Sequence, residues 1–131
     1  MKLITGGAYQ GKLAYALAET GLSAEHAADG GTCTKEEMFH SPVVDHFHLF
    51  IKRMLQEGMS PEDLAALAGD LMRDNPDAVI ITDELGCGLV PVDAFDRSYR
   101  EVTGRICCLL AREAEEVHRV ICGIGTVIKH G

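Results

Sequence analysis

The sequence predicts an α/β fold with a doubly wound, mostly parallel sheet and a C-terminal edge strand. Three observations predict it. Short apolar runs alternate with segments of helical periodicity, the order that builds right-handed crossovers onto a sheet. Ala78 to Thr82 is apolar without alternation, as in a strand covered on both faces. A glycine-rich turn, Gly6 to Gly11, separates the first apolar run from the first helical segment. In such a fold ligands bind at the carboxyl ends of the strands.

Taken in order, Met1 to Thr5 reads as a buried first strand that stops at Gly6-Gly7. Lys12 to Glu19 reads as a helix, rich in Ala and Leu, with Gly21 where a left-handed cap belongs. Thr20 to Pro42 reads as a connector or lid. Asp29-Gly30-Gly31 marks a turn in it, and Thr34-Lys35-Glu36-Glu37 offers a capping box for one short helix. Val43 to Asp45 reads as a short second strand, and Phe47, Phe50, Ile51, Met54 and Leu55 then recur at helical spacing up to Gly58. Ser60-Pro61-Glu62-Asp63 combines an N-cap, a first-turn proline and acids suited to the helix dipole, so a further helix runs to about Asp74 and closes at Asn75-Pro76. Ala78 to Thr82 is the central strand. Asp93 caps a long helix with Tyr99, Val102, Ile106, Leu109 and Leu110 facing inward; Val117 to Cys122 is a strand, and after Gly123-Ile124-Gly125 the run Thr126 to Lys129 forms the edge strand.

A chain of 131 residues, 47% of them apolar, suits one domain over 1–131. The formal net charge of −8 and the pI near 5.1 oppose attraction to nucleic acid or to an anionic membrane surface. No run approaches the roughly 20 apolar residues of a membrane span, and the N-terminus lacks a cleavable signal pattern, which points to the cytoplasm. Five cysteines without a C-x-x-C pair read as reduced thiols, Cys107 and Cys108 as small buried side chains of a helix.

Gly6-Gly7-Ala8-Tyr9-Gln10-Gly11-Lys12 fits G-x-x-x-x-G-K between a strand and a helix, which is where a phosphate-binding loop must stand. Successive backbone N–H groups curl around a phosphate, the helix N-terminus adds its positive dipole end, and Lys12 reaches the β and γ phosphates. ATP or GTP is the expected ligand, held by Gly6, Gly7, Ala8, Tyr9, Gln10, Gly11, Lys12 and Leu13. Leu13 stands where a serine or threonine hydroxyl ordinarily ligates Mg²⁺. Leucine has no lone pair, which counts against Mg²⁺ and phosphoryl transfer more than against nucleotide binding.

A second constellation, Thr82-Asp83-Glu84-Leu85-Gly86-Cys87-Gly88-Leu89-Val90-Pro91, leaves the carboxyl end of the central strand. There Glu84 is placed to accept a proton from an attacking hydroxyl, or to sit in a solvated loop. Asp83 to Pro91 resembles the N-E-V-G-x-G-x-V-P run of the adenosylcobinamide kinase / adenosylcobinamide-phosphate guanylyltransferase family, with Asp83 in place of Asn. The likeness continues in Arg100-Glu101-Val102-Thr103-Gly104-Arg105, similar to R-D-x-x-G-R, and in Gly123-Ile124-Gly125.

The resemblance implies a P-loop NTPase-like protein of cobalamin biosynthesis that phosphorylates the hydroxyl of adenosylcobinamide and then attaches GMP. Lys12, Glu84, Arg100 and Arg105 are its expected catalytic groups. Asp45 is the expected Mg²⁺ ligand, and assembly as a homo-oligomer, a trimer, is implied as well. Three departures weaken the transfer of activity: Leu13; Cys107-Cys108 where the family has Asn-Gln; and a stretch between Gly21 and Val43 that is short and lacks the H-x-x-x-R-P bearing the family's guanylylated histidine. His26, His40, His46 and His48 are the available substitutes. Residues two apart diverge around a helix, so His46 and His48 are not expected to converge. Three readings follow: an abbreviated member keeping at most the kinase step, a non-catalytic nucleotide-binding sensor or subunit, and a kinase for another small molecule.

Overall fold

The computed structural model describes residues 1–85 and 93–130. The elements are β1 (Lys2–Gly6), α1 (Lys12–Thr20), β2 (Ala27–Asp29), α2 (Lys35–His40), β3 (Val43–Asp45), α3 (Phe47–Gln56), α4 (Pro61–Asp74), β4 (Val79–Asp83), α5 (Ala94–Glu113), β5 (Glu116–Ile121) and β6 (Ile124–His130). They form a six-stranded sheet in the order β2-β3-β4-β1-β5-β6. Neighbours run parallel except at the C-terminal edge, where β5 and β6 are antiparallel. This is the doubly wound P-loop NTPase-like architecture expected.

The sheet sorts its side chains by alternation. Leu3, Val44, Ile80 and Val117 join Phe47, Phe50, Leu64, Leu71, Ile106 and Leu110 in the larger core beneath α3, α4 and α5. Ile4, Val43, Val79, Ile81 and Val120 point the other way, onto Ala16 of α1. Val79, Ile80, Ile81 and Thr82 are all buried, because β4 is covered on both faces.

The caps explain where the helices start. Thr34, Ser60 and Asp93 accept from the backbone N–H groups of Glu37, Asp63 and Asp96, as their sequence signatures require. Helix α1 differs. Its N-cap is Gly11 in a left-handed conformation (φ 83°), with no side-chain cap and no acid in its first turn, so its leading N–H groups face the glycine loop.

Three expectations need correction. The connector between Thr20 and Pro42 contains β2, three residues paired in parallel to β3, so Val43–Asp45 is the third strand. Ala27-Ala28-Asp29 has neither length nor a β-branched residue to announce it; its partner strand makes it extended. Cys108 is exposed, since it lies opposite the face of α5 that buries Ile106 and Leu110, while Cys107 is half-buried with Sγ 3.8 Å from Thr82 Oγ1. His46 precedes α3, as its left-handed N-cap (φ 53°), and helical divergence therefore does not apply to the His46–His48 pair.

Candidate functional site: a cleft at the carboxyl end of the sheet

A cleft of about 480 Å³ opens between the glycine loop and the ends of β3 and β4, lined by Ala8 to Ala14, Asp45, His46, His48, Leu49 and Asp83. The register of β1 and β4 sets its floor by pairing Gly6 with Asp83. Lys12 is 7% exposed, and its Nζ donates to Gly7 O at 2.6 Å and lies 2.7 Å from Asp83 Oδ1. The loop reverses through positive φ at Tyr9 (61°) and Gly11 (83°).

The opposite wall is carried by β3 and the start of α3. Asp45 is buried, its Oδ1 accepts the His46 N–H at 2.9 Å, and burial pushes its carboxyl above the ordinary range. His46 Nδ1 lies 3.0 Å from Asp29 Oδ1 and 3.5 Å from Asp45 Oδ2. Burial works to raise Asp29, but the Gly31 N–H at 2.8 Å and His46 outweigh it and hold that carboxyl below the usual range. Gly30 lets this wall close: its N–H donates to Asp45 O at 2.7 Å, and an added Cβ would stand 2.2 Å from His46 O.

His48 is buried beneath the cleft. Its Nδ1 accepts the Asp83 N–H at 3.1 Å, which puts the ring proton on Nε2, 3.3 Å from Asp83 Oδ2. Burial, partly opposed by Asp83, lowers its basicity and keeps the ring neutral. The His46 and His48 rings meet edge to face at 5.8 Å, so the two histidines do converge.

The remaining expected residues lie elsewhere. Glu84 is held by both nitrogens of an Arg119 fork, at 2.9 and 3.0 Å. It shares a separate cavity of about 200 Å³ with Asp83, Thr5, Arg100, Thr103 and Cys107. Arg100 pairs with Asp96 at 3.2 Å. Arg105 has a side chain 71% exposed, pairs with Glu101 and lines a groove between α4 and α5. Leu13 lines the cleft while packing against the apolar layer under α1. Gly86 to Pro91 of the second constellation fall outside the described residues. Asp83 as partner of Lys12 and His48 as partner of Asp83 were not expected from the sequence. The G-x-x-x-x-G-K signal combined with a parallel β1–β4 register would have found Asp83; nothing local marks His48.

Among the described residues no three His, Cys, Asp or Glu side chains cluster to hold a metal ion. Among the described residues lining the cleft, Asp45 is the carboxylate not paired with Lys12, and Leu13 adds no oxygen. These residues do not by themselves build a Mg²⁺ site.

The model of the cobinamide kinase / cobinamide phosphate guanyltransferase family matches residues 23–128, most of the chain, and leaves the glycine loop and α1 outside the match. The chain belongs to this family. The bifunctional adenosylcobalamin biosynthesis protein CobU of Salmonella typhimurium is 35% identical over 68 residues, 52% of this chain and 38% of that protein. The protein of the same name from Escherichia coli is 36% identical over 67 residues, 51% of this chain and 37% of that protein. The aligned stretch thus spans well under half of either relative. Among the described residues no helix is long and apolar enough to cross a membrane.

Proposed function

We propose that residues 1–131 form a single nucleotide-binding domain that takes ATP or GTP in the glycine loop and keeps, at most, phosphoryl transfer to the hydroxyl of adenosylcobinamide in cobalamin biosynthesis. The observation that carries this reading is the buried Lys12 ammonium, held at the mouth of the cleft beside the uncapped N-terminus of α1. Burial of that charge is compensated by Asp83 and Gly7 O; what favours a phosphate beside it is the helix start, whose backbone N–H groups suit phosphate oxygens.

In the transfer, the acceptor oxygen bonds to the γ phosphorus, the bond from that phosphorus to the bridging oxygen breaks, and nucleoside diphosphate leaves. Lys12 offsets charge on the phosphates. The hydroxyl proton needs a base. His46 lines the cleft, and with Nδ1 turned to Asp29 its Nε2 keeps a lone pair. Glu84, the base expected from the sequence, serves the same end once its pair with Arg119 opens. Arg100 and Arg105 are the expected cationic clamps, and Arg100 is the one that shares a cavity with Asp83. Where Mg²⁺ takes part, Asp45 would be the carboxylate to hold it, and the cation would supply neutralisation of phosphate charge. A cytoplasmic homo-oligomer, a trimer by resemblance, belongs to the same proposal; the exposed Ile124, Val127 and Ile128 of β6 favour association.

Leu13 favours a second reading, a nucleotide-binding sensor or subunit without turnover. Titration calorimetry with ATP and GTP tests the binding. Lys12→Ala is expected to weaken triphosphate affinity at least about tenfold, since a charged contact to phosphate contributes roughly 1.5–3 kcal/mol. Turnover measured with and without adenosylcobinamide and Mg²⁺ separates the two readings. Unchanged affinity in Lys12→Ala would remove the loop as the nucleotide site.

A further inference from the structure

An ammonium group has three protons to donate. In Lys12 one goes to Gly7 O at 2.6 Å and another meets Asp83 Oδ1 at 2.7 Å. Asp83 is fixed in turn from behind, its N–H on His48 Nδ1 and its Oδ2 facing His48 Nε2. The contact is therefore built by three elements, with α1 bringing the lysine, β4 the carboxylate and α3 the histidine that orients it.

The charges around the pair give it a consequence. Among the described residues lining the cleft, Lys12 is the one lysine or arginine, against the two carboxylates of Asp45 and Asp83. His46 stands at the lip with Asp29, and His48 is kept neutral by burial. From α5, Tyr99 faces Asp83 with a hydroxyl that burial and this carboxylate hold protonated. Arg100 faces Asp83 across the small cavity but pairs with Asp96, and Glu84 is taken by Arg119. The one cation placed for a phosphate chain already holds an anion, and a polyanion entering the cleft meets a second carboxylate.

We infer that Asp83 is an internal competitor for Lys12: its Oδ1 occupies the place of a nucleotide phosphate oxygen, and binding proceeds by exchange of carboxylate for phosphate. This deepens the nucleotide-binding reading and rests on it. Lys12 swings from Asp83 to the incoming phosphate, while the Asp83 N–H stays on His48 Nδ1. Affinity is set by the difference between the two anions on one ammonium, which favours a charge-dense terminal phosphate over a nucleoside or a monoester. Asp83 is a positioning residue in this account, and His48 is its anchor.

The test is titration of the full chain with ATP, GTP and inorganic triphosphate, each in Mg²⁺ and in EDTA, for wild type, Asp83→Asn, Asp83→Glu, Lys12→Ala and the double variant Lys12→Ala/Asp83→Asn. Asp83→Asn keeps an oxygen for His48 and removes the charge; it is expected to bind triphosphate at least about tenfold tighter, the scale of one charge-assisted contact. Asp83→Glu keeps the charge and should show no such tightening. The gain should vanish when Lys12 is absent, since two groups that act through one contact are not additive. Damage to the fold does not tighten binding, so the gain and its dependence on Lys12 exclude a merely structural role. Should the variants not fold, the wild type carries the test: the carbon-13 signal of the Asp83 carboxyl must move on saturation with triphosphate, and a stationary signal overturns the exchange. Equal or weaker binding by Asp83→Asn overturns it, and a loss confined to Mg²⁺ buffer would make Asp83 a metal ligand instead. Failure of every protein to bind any of the three ligands overturns the nucleotide reading itself, whereas tight binding indifferent to Asp83 overturns the exchange alone.

Discussion

The side chain of Gln10 reaches from the glycine loop to the β5–β6 turn, where its Oε1 accepts the Cys122 N–H at 2.6 Å while its own carbonyl accepts the Gly123 N–H at 2.8 Å. Cys122 and Gly123 both have positive φ, 52° and 77°, which turns their N–H groups toward the loop. The edge hairpin thus supports the loop that is proposed to cradle phosphate.

Gln10→Ala removes one of these two bonds and leaves the Cys122 N–H to water. A cost of about 0.5–1.5 kcal/mol in stability is expected, the usual net contribution of one hydrogen bond. Triphosphate affinity should fall several-fold, because the backbone donors of the loop are then less rigidly aimed. Thermal unfolding and calorimetric titration check the two effects separately. Lower stability with undiminished affinity would show that the hairpin contact does not shape the loop.

Asp45 gives a prediction in pH. Burial raises its folded-state pKa above that of the unfolded chain, so the folded protein binds the proton more tightly. Such a group adds stability below the unfolded carboxylate range, and stability is lost as pH rises from there through the raised folded value. Asp45→Asn should therefore raise the thermal midpoint at pH 7 and flatten its decline between acidic and neutral pH. If Asp45 serves the bound nucleotide, the same variant loses function while gaining stability, a trade common at active sites. A midpoint that falls at pH 7 would mean that the His46 contacts outweigh the burial of charge.

Incubation with labelled GTP is expected to leave no stable guanylyl adduct, because no H-x-x-x-R-P lies between Gly21 and Val43. Intact-mass spectrometry reads this directly. A gain of one GMP, mapped to His26, His40, His46 or His48, would overturn the expectation and restore the transferase step. His46 would then be the natural acceptor, since its ring lines the cleft and is exposed, whereas that of His48 is buried.

The sequence was most legible where local chemistry and tertiary packing agree. The capping box at Thr34, the proline-led start of α4 and the glycine stop at Gly21 all survive into the structure because each is decided within one helical turn. The unbroken apolar run of β4 is legible because burial on both faces leaves no other composition possible. Strand β2 was hidden because its extension comes from pairing with β3, which no local residue announces. The site divides the same way. The glycine loop is a contiguous motif, whereas the chain Lys12, Asp83, His48 joins positions on α1, β4 and α3 that only the register brings together. His46 escapes helical periodicity because its left-handed conformation takes it off α3.

Leu13 separates a kinase from a nucleotide binder. It follows Lys12 in the first turn of α1 and lines the cleft, at the point where a serine or threonine hydroxyl would help to hold a cation. Its side chain also packs with Ile4, Ala16 and Val120 on the α1 side of the sheet, so the sequence has used the position for the core. Leucine offers no lone pair there, so wild-type turnover should be weak and nearly indifferent to Mg²⁺, since a properly held cation contributes several kcal/mol to charge stabilisation. Leu13→Ser should strengthen Mg²⁺-dependent nucleotide affinity, and it should raise turnover if Asp45, Glu84 and the arginines come together around the bound nucleotide. The substitution also removes a partly buried apolar side chain, and a loss of roughly 1–3 kcal/mol in stability is expected alongside. Affinity and hydrolysis across a Mg²⁺ series, with thermal unfolding of both proteins, resolve the three effects. Full Mg²⁺ dependence in the wild type with no gain in the serine variant would show that other groups hold the cation and that leucine at this position does not limit catalysis.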